Sequence, residues 1–358
     1  MVAMSAWEAF EAIVLPRTVS RKIRFTVLFY FFLWRASRLA ARLLTKRPAI
    51  RESFLSVVAP LGLLLLIVCW TLGIILGFAL IHYGLGTPLS NGETGFGTDL
   101  YMSAATFFTL GYGDVVAREG AGRFVSMVEA GMGFGGLALV IGYMPVLYQS
   151  FSARERVSLL LDARAGSPPV AAALLAFYGD DARGLEGIFH EFERWAGSLL
   201  ESYLSFPILS SYRSQHELLS WLASATCVCD ASAFVMTCYK GDSVELRSLH
   251  RQASLTYAML RHLAVDLSYI LDVGPVVPPE PRLDASTWKG IVGGLAETGA
   301  PVLVENGACE RLTSLRAAYE PYVYGLSRGL SLSLPGWAAA TAGPASWETT
   351  AWDEGKHF

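Results

Sequence analysis

The stretch that decides the fold runs from residue 99 to residue 114 and reads DLYMSAATFFTLGYGD. Its first ten residues, 99–108, are mostly apolar, and as a helix they would reach about 15 Å, half of a bilayer's hydrocarbon core. The last six, 109–114, carry glycine at alternate positions, Gly111 and Gly113. Because an apolar helix this short has to enter a membrane and turn back, the sequence predicts a re-entrant helix at 99–108.

Two longer apolar segments flank this stretch. The first, 54–82, carries no Asp, Glu, Lys or Arg, and the second, 123–151, is interrupted after Arg123 by Glu129 alone. About 20 apolar residues are enough to cross a bilayer as a helix. The sequence therefore predicts an outer helix at 54–82 and an inner helix at 123–151, which together with the positive mean hydropathy indicates an all-α membrane protein.

The basic residues predict the orientation of these spans. Ten Lys and Arg residues and no acidic residue lie between Arg17 and Arg51, and three arginines closely follow the second span. The loop between the spans carries Arg118 before the boundary residue Arg123. Since Lys and Arg accumulate on the cytoplasmic side, both termini are predicted to be cytoplasmic, in a protein of the cell membrane without a removable signal peptide.

A basic segment with an amphipathic pattern precedes the first span. Residues 25–34 are apolar but too short to cross a membrane, and residues 35–47 place arginines on one helical face and leucines on another. We expect 1–52 to be a cytoplasmic N-terminal region with a helix lying in the membrane interface. Its partner would be anionic lipid rather than nucleic acid. A third span beginning near Ile23 is the open alternative.

Beyond the second span the charge returns and apolar residues recur with helical periodicity. We predict a pore region at 53–153, a cytoplasmic all-α domain at 154–333 and a flexible tail at 334–358. The expected helices of the cytoplasmic domain span 170–178, 184–204, 215–239, 243–271, 285–297 and 310–330.

Several patterns typical of enzymes and cofactor sites are missing from the sequence. There is no G-x-G-x-x-G string after residue 155 and no G-x-S-x-G string, and the histidines of the cytoplasmic domain do not have zinc-site spacing. The five cysteines contain no C-x-x-C pair, so we expect them to be reduced. We predict neither an enzyme nor a bound cofactor, and no pattern indicates which regulator the cytoplasmic domain would bind.

The six residues TLGYGD resemble the T-x-G-Y-G-D signature of potassium channels. Residues 55–156 resemble, more widely, the pore domain of bacterial channels with two transmembrane helices and a single pore loop. In that family, backbone oxygens replace the hydration shell of K⁺, and glycines accept the positive φ that the alternating backbone needs. The resemblance implies a pore helix at 99–108 and a selectivity filter at 109–114.

The resemblance also assigns roles within the filter. The residues implied to bind K⁺ through their carbonyl oxygens are Thr109, Leu110, Gly111 and Tyr112. Gly113 would complete the string, and Asp114 would lie at the outer mouth. Since one chain supplies one loop and one loop cannot surround an ion, the resemblance implies a homotetramer.

The inner helix contains candidates for bending and for filter support. Gly133 falls where the family has its gating hinge, and Gly142 and Pro145 further weaken the helix. Close packing of small residues against the first span is the alternative for the glycines. Glu129, an ionisable residue inside a span, is a candidate to support the filter from behind, and a neutral or interfacial carboxyl is its alternative.

The sequence departs from the family behind the filter. In place of two adjacent tryptophans and a buried glutamate, it has Tyr101, Met102 and Ala105. Phe107 and Phe108 precede Thr109, so we expect aromatic packing to brace the filter.

The implied function is that of a potassium-selective channel subunit conducting K⁺ down its gradient. A weakly selective monovalent cation channel and a membrane-anchored signalling scaffold with a vestigial pore are the alternatives.

Overall fold

The computed structural model describes residues 1–13, 25–44, 48–214, 219–303 and 307–339. Within these residues the chain is helical, with isolated bridges and no β-strand. It divides into two compact units, Met1–Gln149 and Ser150–Phe358.

The first unit is built around one long helix. Its helices are α1 (Val2–Ile13), α2 (Phe25–Leu44), α3 (Pro48–Leu85), α4 (Phe96–Phe107) and the first part of α5 (Gly120–Ala165), which continues into the second unit. Helices α1, α2 and α4 all pack against α3. By length and composition, α3 over Phe54–Leu85 and α5 are able to cross a membrane.

Both long helices extend beyond the predicted limits of 54–82 and 123–151. Helix α3 begins at Pro48, because proline is tolerated in the first turn, where its missing N–H leaves no bond unmade. Helix α5 continues to Ala165, since charged residues propagate a helix as well as apolar ones do. The charged residues that follow residue 151 therefore do not end the helix.

The short helix α4 begins at Phe96, three residues before the predicted start at 99, and it ends at Phe107, one residue before the predicted end. Gly95 precedes it with a φ of 146°, and its carbonyl oxygen accepts hydrogen bonds from the N–H groups of Thr98 (3.0 Å) and Asp99 (3.2 Å). Phe107, its last residue, is buried against Ile74 of α3. A helix of 12 residues, about 18 Å long, is too short to cross a bilayer.

The N-terminal region differs from the prediction in two ways. Helix α1 was not predicted, and α2 joins the apolar segment 25–34 to most of the basic segment 35–47 in one helix of 20 residues. Its apolar part, Phe25–Ser37, is shorter than the helices able to span. Of the basic residues in this region, the structure describes only the side chain of Arg35, which is exposed, so the interfacial location stays a prediction.

The second unit is a helical bundle with a buried central helix. Its helices after α5 are α6 (Ala171–Tyr178), α7 (Ala182–Ser205), α8 (Trp221–Cys238), α9 (Val244–Ile270), α10 (Ala285–Glu297), α11 (Ala308–Ala317) and α12 (Glu320–Leu330). Helix α8 is apolar enough to cross a membrane, but 94% of its apolar window is buried inside the unit. Its apolar side chains therefore form the core between α9, α11 and α6.

One prediction for this unit is wrong, and a second needs correction over the few of its residues that the structure describes. The helix predicted at 310–330 is two helices, α11 and α12. Pro321 lies in the first turn of α12, where proline is tolerated, and it would break the interior of a longer helix. Just before this turn, the hydroxyl of Tyr319 donates a hydrogen bond to Asp230. The predicted flexible tail, 334–358, starts with a packed segment. Trp337 is 1% exposed, and its carbonyl oxygen accepts a hydrogen bond from Ala172 N–H (3.0 Å). Residues 340–358 lie outside the described part.

Arg154, on α5, is a buried cation with several hydrogen-bond acceptors around it. Its guanidinium donates to Tyr203 Oη (2.8 Å) and to the carbonyl oxygens of Leu209 (3.0 Å) and Tyr212 (3.1 Å). It also forms an ion pair with Glu155 (2.8 Å), and it is 3% exposed. The continuation of the inner helix is thereby tied to the helical bundle.

Replacing Arg154 by glutamine is expected to destabilise this unit strongly. Removal of the cation leaves the Tyr203 hydroxyl, two carbonyl oxygens and the partly buried Glu155 carboxylate with too few donors, at a cost of about 3–5 kcal/mol. That corresponds to a fall in Tm of roughly 6–20 °C, measured by thermal unfolding of the purified full-length protein. Arg183→Ala is the control: its ion pair with Glu245 (3.0 Å) is exposed, so Tm should change little. Equal Tm values for the two variants would contradict this account.

Candidate functional site

The loop after α4 has an unusual backbone. Thr109, Gly111 and Gly113 have φ values of 53°, 67° and 75°, whereas Leu110 and Tyr112 between them have no positive φ. Residues of L-chirality resist the left-handed region and glycine does not, which explains two of these three positions. Thr109 is a strained position of the kind that clusters at functional sites. Alternation of this type allows successive peptide groups to face the same side of the chain.

The same loop has almost no cover from its own chain. The side chains of Leu110 and Tyr112 are 50% and 70% exposed, and a Cβ atom added to Gly111 or Gly113 would have no neighbour within 4 Å. Irregular backbone within a membrane needs protein or water around it. Within one chain the loop is therefore open to whatever surrounds it.

Hydrogen bonds hold the C-terminal end of the loop at Asp114. Tyr101 Oη donates to Asp114 Oδ2 (2.9 Å), and Ser90 Oγ donates to the Asp114 carbonyl oxygen (3.0 Å). Sequence reasoning treated Tyr101 as a departure from the family and missed this bond. The sequence could have indicated it, because the tyrosine hydroxyl, like the indole N–H of the tryptophan it replaces, is a hydrogen-bond donor.

Replacing Tyr101 by phenylalanine is expected to make the end of the loop at Asp114 less stable. The variant keeps the ring and loses one solvent-exposed hydrogen bond to a carboxyl group, worth about 0.5–1 kcal/mol. Steady-state current should therefore decline faster during maintained activation than in the wild type. Tyr83→Phe is a suitable control, since Tyr83 is an exposed residue of α3 with a ring contact to Phe96. The same time course in wild type and Tyr101→Phe would remove this bond from the loop's stability.

Three buried polar residues, one each from α3, α4 and α5, lie close together. The hydroxyl of Ser103 contacts both Glu129 Oε1 and the carbonyl oxygen of Ile75 (2.8 Å). His82 Nε2 lies 3.9 Å from Glu129 Oε2, and its Nδ1 lies 3.2 Å from Thr87 Oγ1. Glu129, Ser103 and His82 are each 0% exposed. The cluster links α3, α4 and α5.

The number of hydrogen atoms available for hydrogen bonds in this cluster indicates the protonation state of Glu129. Ser103 has one hydroxyl hydrogen, and the Ile75 carbonyl oxygen can only accept. Both contacts are satisfied when Ser103 donates to Ile75 and a protonated Glu129 donates to Ser103. A neutral carboxyl also avoids burying an unpaired charge. Glu129 lies against α4, and its role in supporting the filter stays a prediction.

Replacing Glu129 by alanine is expected to shorten the open state, because it breaks the link to Ser103 and leaves a cavity between α4 and α5. Glu129→Gln should stay close to the wild type, since the amide is neutral, similar in size and able to donate to Ser103. Single-channel open times of the two variants measure the difference. The same large effect in both would mean that charge, rather than the link, is what matters.

The two phenylalanines before Thr109 have different surroundings. Phe107 is buried with Ile75 and Phe78, whereas Phe108 is 56% exposed. Their rings meet edge to face, with centroids 5.5 Å apart. Within one chain, therefore, Phe107 anchors the end of α4, and Phe108 is available to surroundings outside the chain.

Gly133 is a point of close approach between helices. A Cβ atom added to it would collide with the carbonyl oxygen of Phe107, whereas Gly131, Gly135 and Gly142 have no neighbour within 4 Å of such an atom. Neither sequence interpretation, a hinge or packing against the first span, included this contact with α4. Pro145 lies within α5 without ending it. The gating roles of Gly133, Gly142 and Pro145 stay predictions.

Comparison with known proteins bears on the same region. Residues 62–149 match the model of a family described as ion channel, a range that includes most of α3, all of α4 and the loop after it. No curated protein and no solved structure gives a significant match. The part of the chain that contains the loop is thus similar to an ion-channel domain, which supports an ion channel in the membrane as the function of the protein.

Proposed function

We propose that this protein is a subunit of a potassium-selective channel of the cell membrane. In this proposal K⁺ passes down its electrochemical gradient between carbonyl oxygens of Thr109, Leu110, Gly111 and Tyr112. The observation that carries it is the left-handed backbone at Thr109, Gly111 and Gly113, directly after an apolar helix too short to cross a bilayer. That alternation suits a string of oxygens facing one side, as replacement of an ion's hydration shell requires.

We infer a homotetramer from the same loop. Its exposed side chains need neighbours, and four copies around an axis would provide them while completing rings of oxygens. The C-terminal end of each α4 would direct the negative end of its helix dipole towards the shared cavity, which favours a cation. Asp114, held by Tyr101, would lie at the outer mouth.

The basic residues support a proposal for orientation and lipid contact. Both termini would face the cytoplasm, and the segment between Arg17 and Arg51 would contact anionic lipid there. Channel activity should then be higher in liposomes containing phosphatidylglycerol than in liposomes of phosphatidylcholine alone. Equal activity in the two would contradict this contact.

A flux assay tests the proposed function. Purified full-length protein is reconstituted in liposomes loaded with KCl, and K⁺ efflux is followed after dilution into a K⁺-free solution. We expect efflux that depends on the protein, and little flux when Na⁺ replaces K⁺. Comparable flux of both ions would favour a weakly selective cation channel, and no flux of either would favour a scaffold with a vestigial pore.

A further inference from the structure

Helix α1 buries its polar side chains and exposes its apolar ones. Ser5, Glu8 and Glu11 are 8%, 7% and 6% exposed. Met4, Trp7 and Phe10, at helical spacing on another face, are 61%, 53% and 40% exposed. A helix on a protein surface in water has the opposite arrangement. The outward face of α1 is therefore suited to apolar surroundings.

Helix α1 lies beside the membrane-crossing part of α3. A Cβ atom added to Gly73 would meet Ser5 Oγ at 2.6 Å, and one added to Gly77 would meet Val2 Cγ2 at 2.6 Å. Gly73 precedes His82, the predicted end of the outer helix, by nine residues, or about 14 Å of helix. The contact is thus well inside the span and far from the start of α3 at Pro48.

Glu8 has a specific partner on its buried side. Its carboxylate accepts hydrogen bonds from the N–H groups of Phe25 and Thr26 (3.0 Å each) and from Thr26 Oγ1 (2.6 Å). The first N–H groups of a helix have no partner within it, and in hydrocarbon no water replaces one. A carboxylate also interacts favourably with the helix dipole. Glu8 is therefore the N-terminal cap of α2, which explains its burial.

Apolar exposure is shared by the neighbouring helices. The exposed apolar side chains include Val27, Leu28, Phe31 and Phe32 on α2 and Leu64, Leu65, Val68 and Leu72 on α3. The surface of α3 at this depth has to face lipid or protein, because the segment crosses the membrane. The outward face of α1 extends the same apolar surface.

We propose that α1 is inserted in the bilayer alongside α3, with Met4, Trp7 and Phe10 in contact with lipid acyl chains. Glu8 then closes the first turn of α2 in a place that water does not reach. This inference is separate from ion conduction. It places α1 in the hydrocarbon, with Val2 beside Gly77, and for residues 1–13 it replaces the cytoplasmic location to which the basic residues alone led.

Spin labelling tests this proposal on the full-length protein. A nitroxide is attached to Met4→Cys or, as a second variant, Phe10→Cys, in a background with Cys69→Ala and Cys309→Ser. The remaining cysteines are buried in the second unit. In phosphatidylcholine vesicles, collisions with oxygen report hydrocarbon and collisions with a nickel chelate report water. Leu72→Cys on α3 and Tyr269→Cys, at a residue 86% exposed in the second unit, are the two controls.

We expect both α1 labels to favour oxygen over the nickel chelate, as the label at Leu72→Cys does, while the label at Tyr269→Cys shows the reverse. A preference for the nickel chelate at both α1 positions would place α1 in water and overturn the proposal. Low accessibility to both reagents would mean that protein, such as a second copy, covers this face, and would also overturn it. None of these results depends on potassium current, so a failure here is distinct from a failure of the proposed function.

Discussion

A channel in which Gly111 is replaced by alanine is expected to conduct no measurable potassium current. The φ of Gly111 is 67°, and an L-residue in this region costs about 1–2 kcal/mol. In a tetramer the four copies together cost about 4–8 kcal/mol, so the conducting conformation falls at least roughly a thousandfold. An added Cβ has no neighbour within 4 Å in the chain, so the effect comes from the backbone and not from a clash.

Gly92→Ala is the matched control for this experiment. Gly92 has a φ of 74° and open space around it, but it lies in the turn between α3 and α4. The same backbone cost there should leave flux from liposomes close to the wild type. Normal potassium flux in Gly111→Ala, with normal selectivity, would contradict the role given to the loop backbone.

Replacing Gly133 by alanine is expected to remove most of the current for a different reason. The added Cβ would collide with the carbonyl oxygen of Phe107, a backbone atom two residues before Thr109. Overpacking of this kind costs about 1–3 kcal/mol per copy, and it is relieved by moving the end of α4. We therefore expect lower unitary conductance and weaker selectivity, measured in single-channel recordings.

Gly142→Ala separates this contact from a hinge. Gly142 has open space, and alanine there strengthens the helix by about 0.5–1 kcal/mol. If flexibility of α5 controls gating, both variants should change open probability and keep the unitary conductance. A normal conductance and selectivity in Gly133→Ala would therefore contradict the close-approach account and favour the hinge.

The parts of this structure that the sequence predicted are local ones. The alternate glycines of 109–114 predict positive φ at Gly111 and Gly113, because only glycine adopts it without cost. The length of the apolar segment before them predicts a helix that cannot cross a membrane, since rise per residue is constant. Both arguments need no knowledge of what the segment touches.

The parts that the sequence did not predict depend on contacts between distant segments. The bond from Tyr101 to Asp114 requires the path of the loop, and the contact of Gly133 with Phe107 requires the packing of α5 on α4. Helix α1 was not predicted because its polar residues face protein and its apolar residues face outward. This arrangement is the reverse of the amphipathic pattern by which helices in water are recognised. The ordering of Trp337 likewise depends on its neighbours in the second unit.

The most direct test of the central claim is the reversal potential of the purified channel in a planar bilayer, with equal KCl and NaCl on opposite sides. Each tenfold preference for K⁺ shifts this potential by about 60 mV. We predict a shift well beyond that value, of the sign set by K⁺. A reversal potential near zero would show that the loop from Thr109 to Tyr112 does not distinguish the two ions, and would contradict the account.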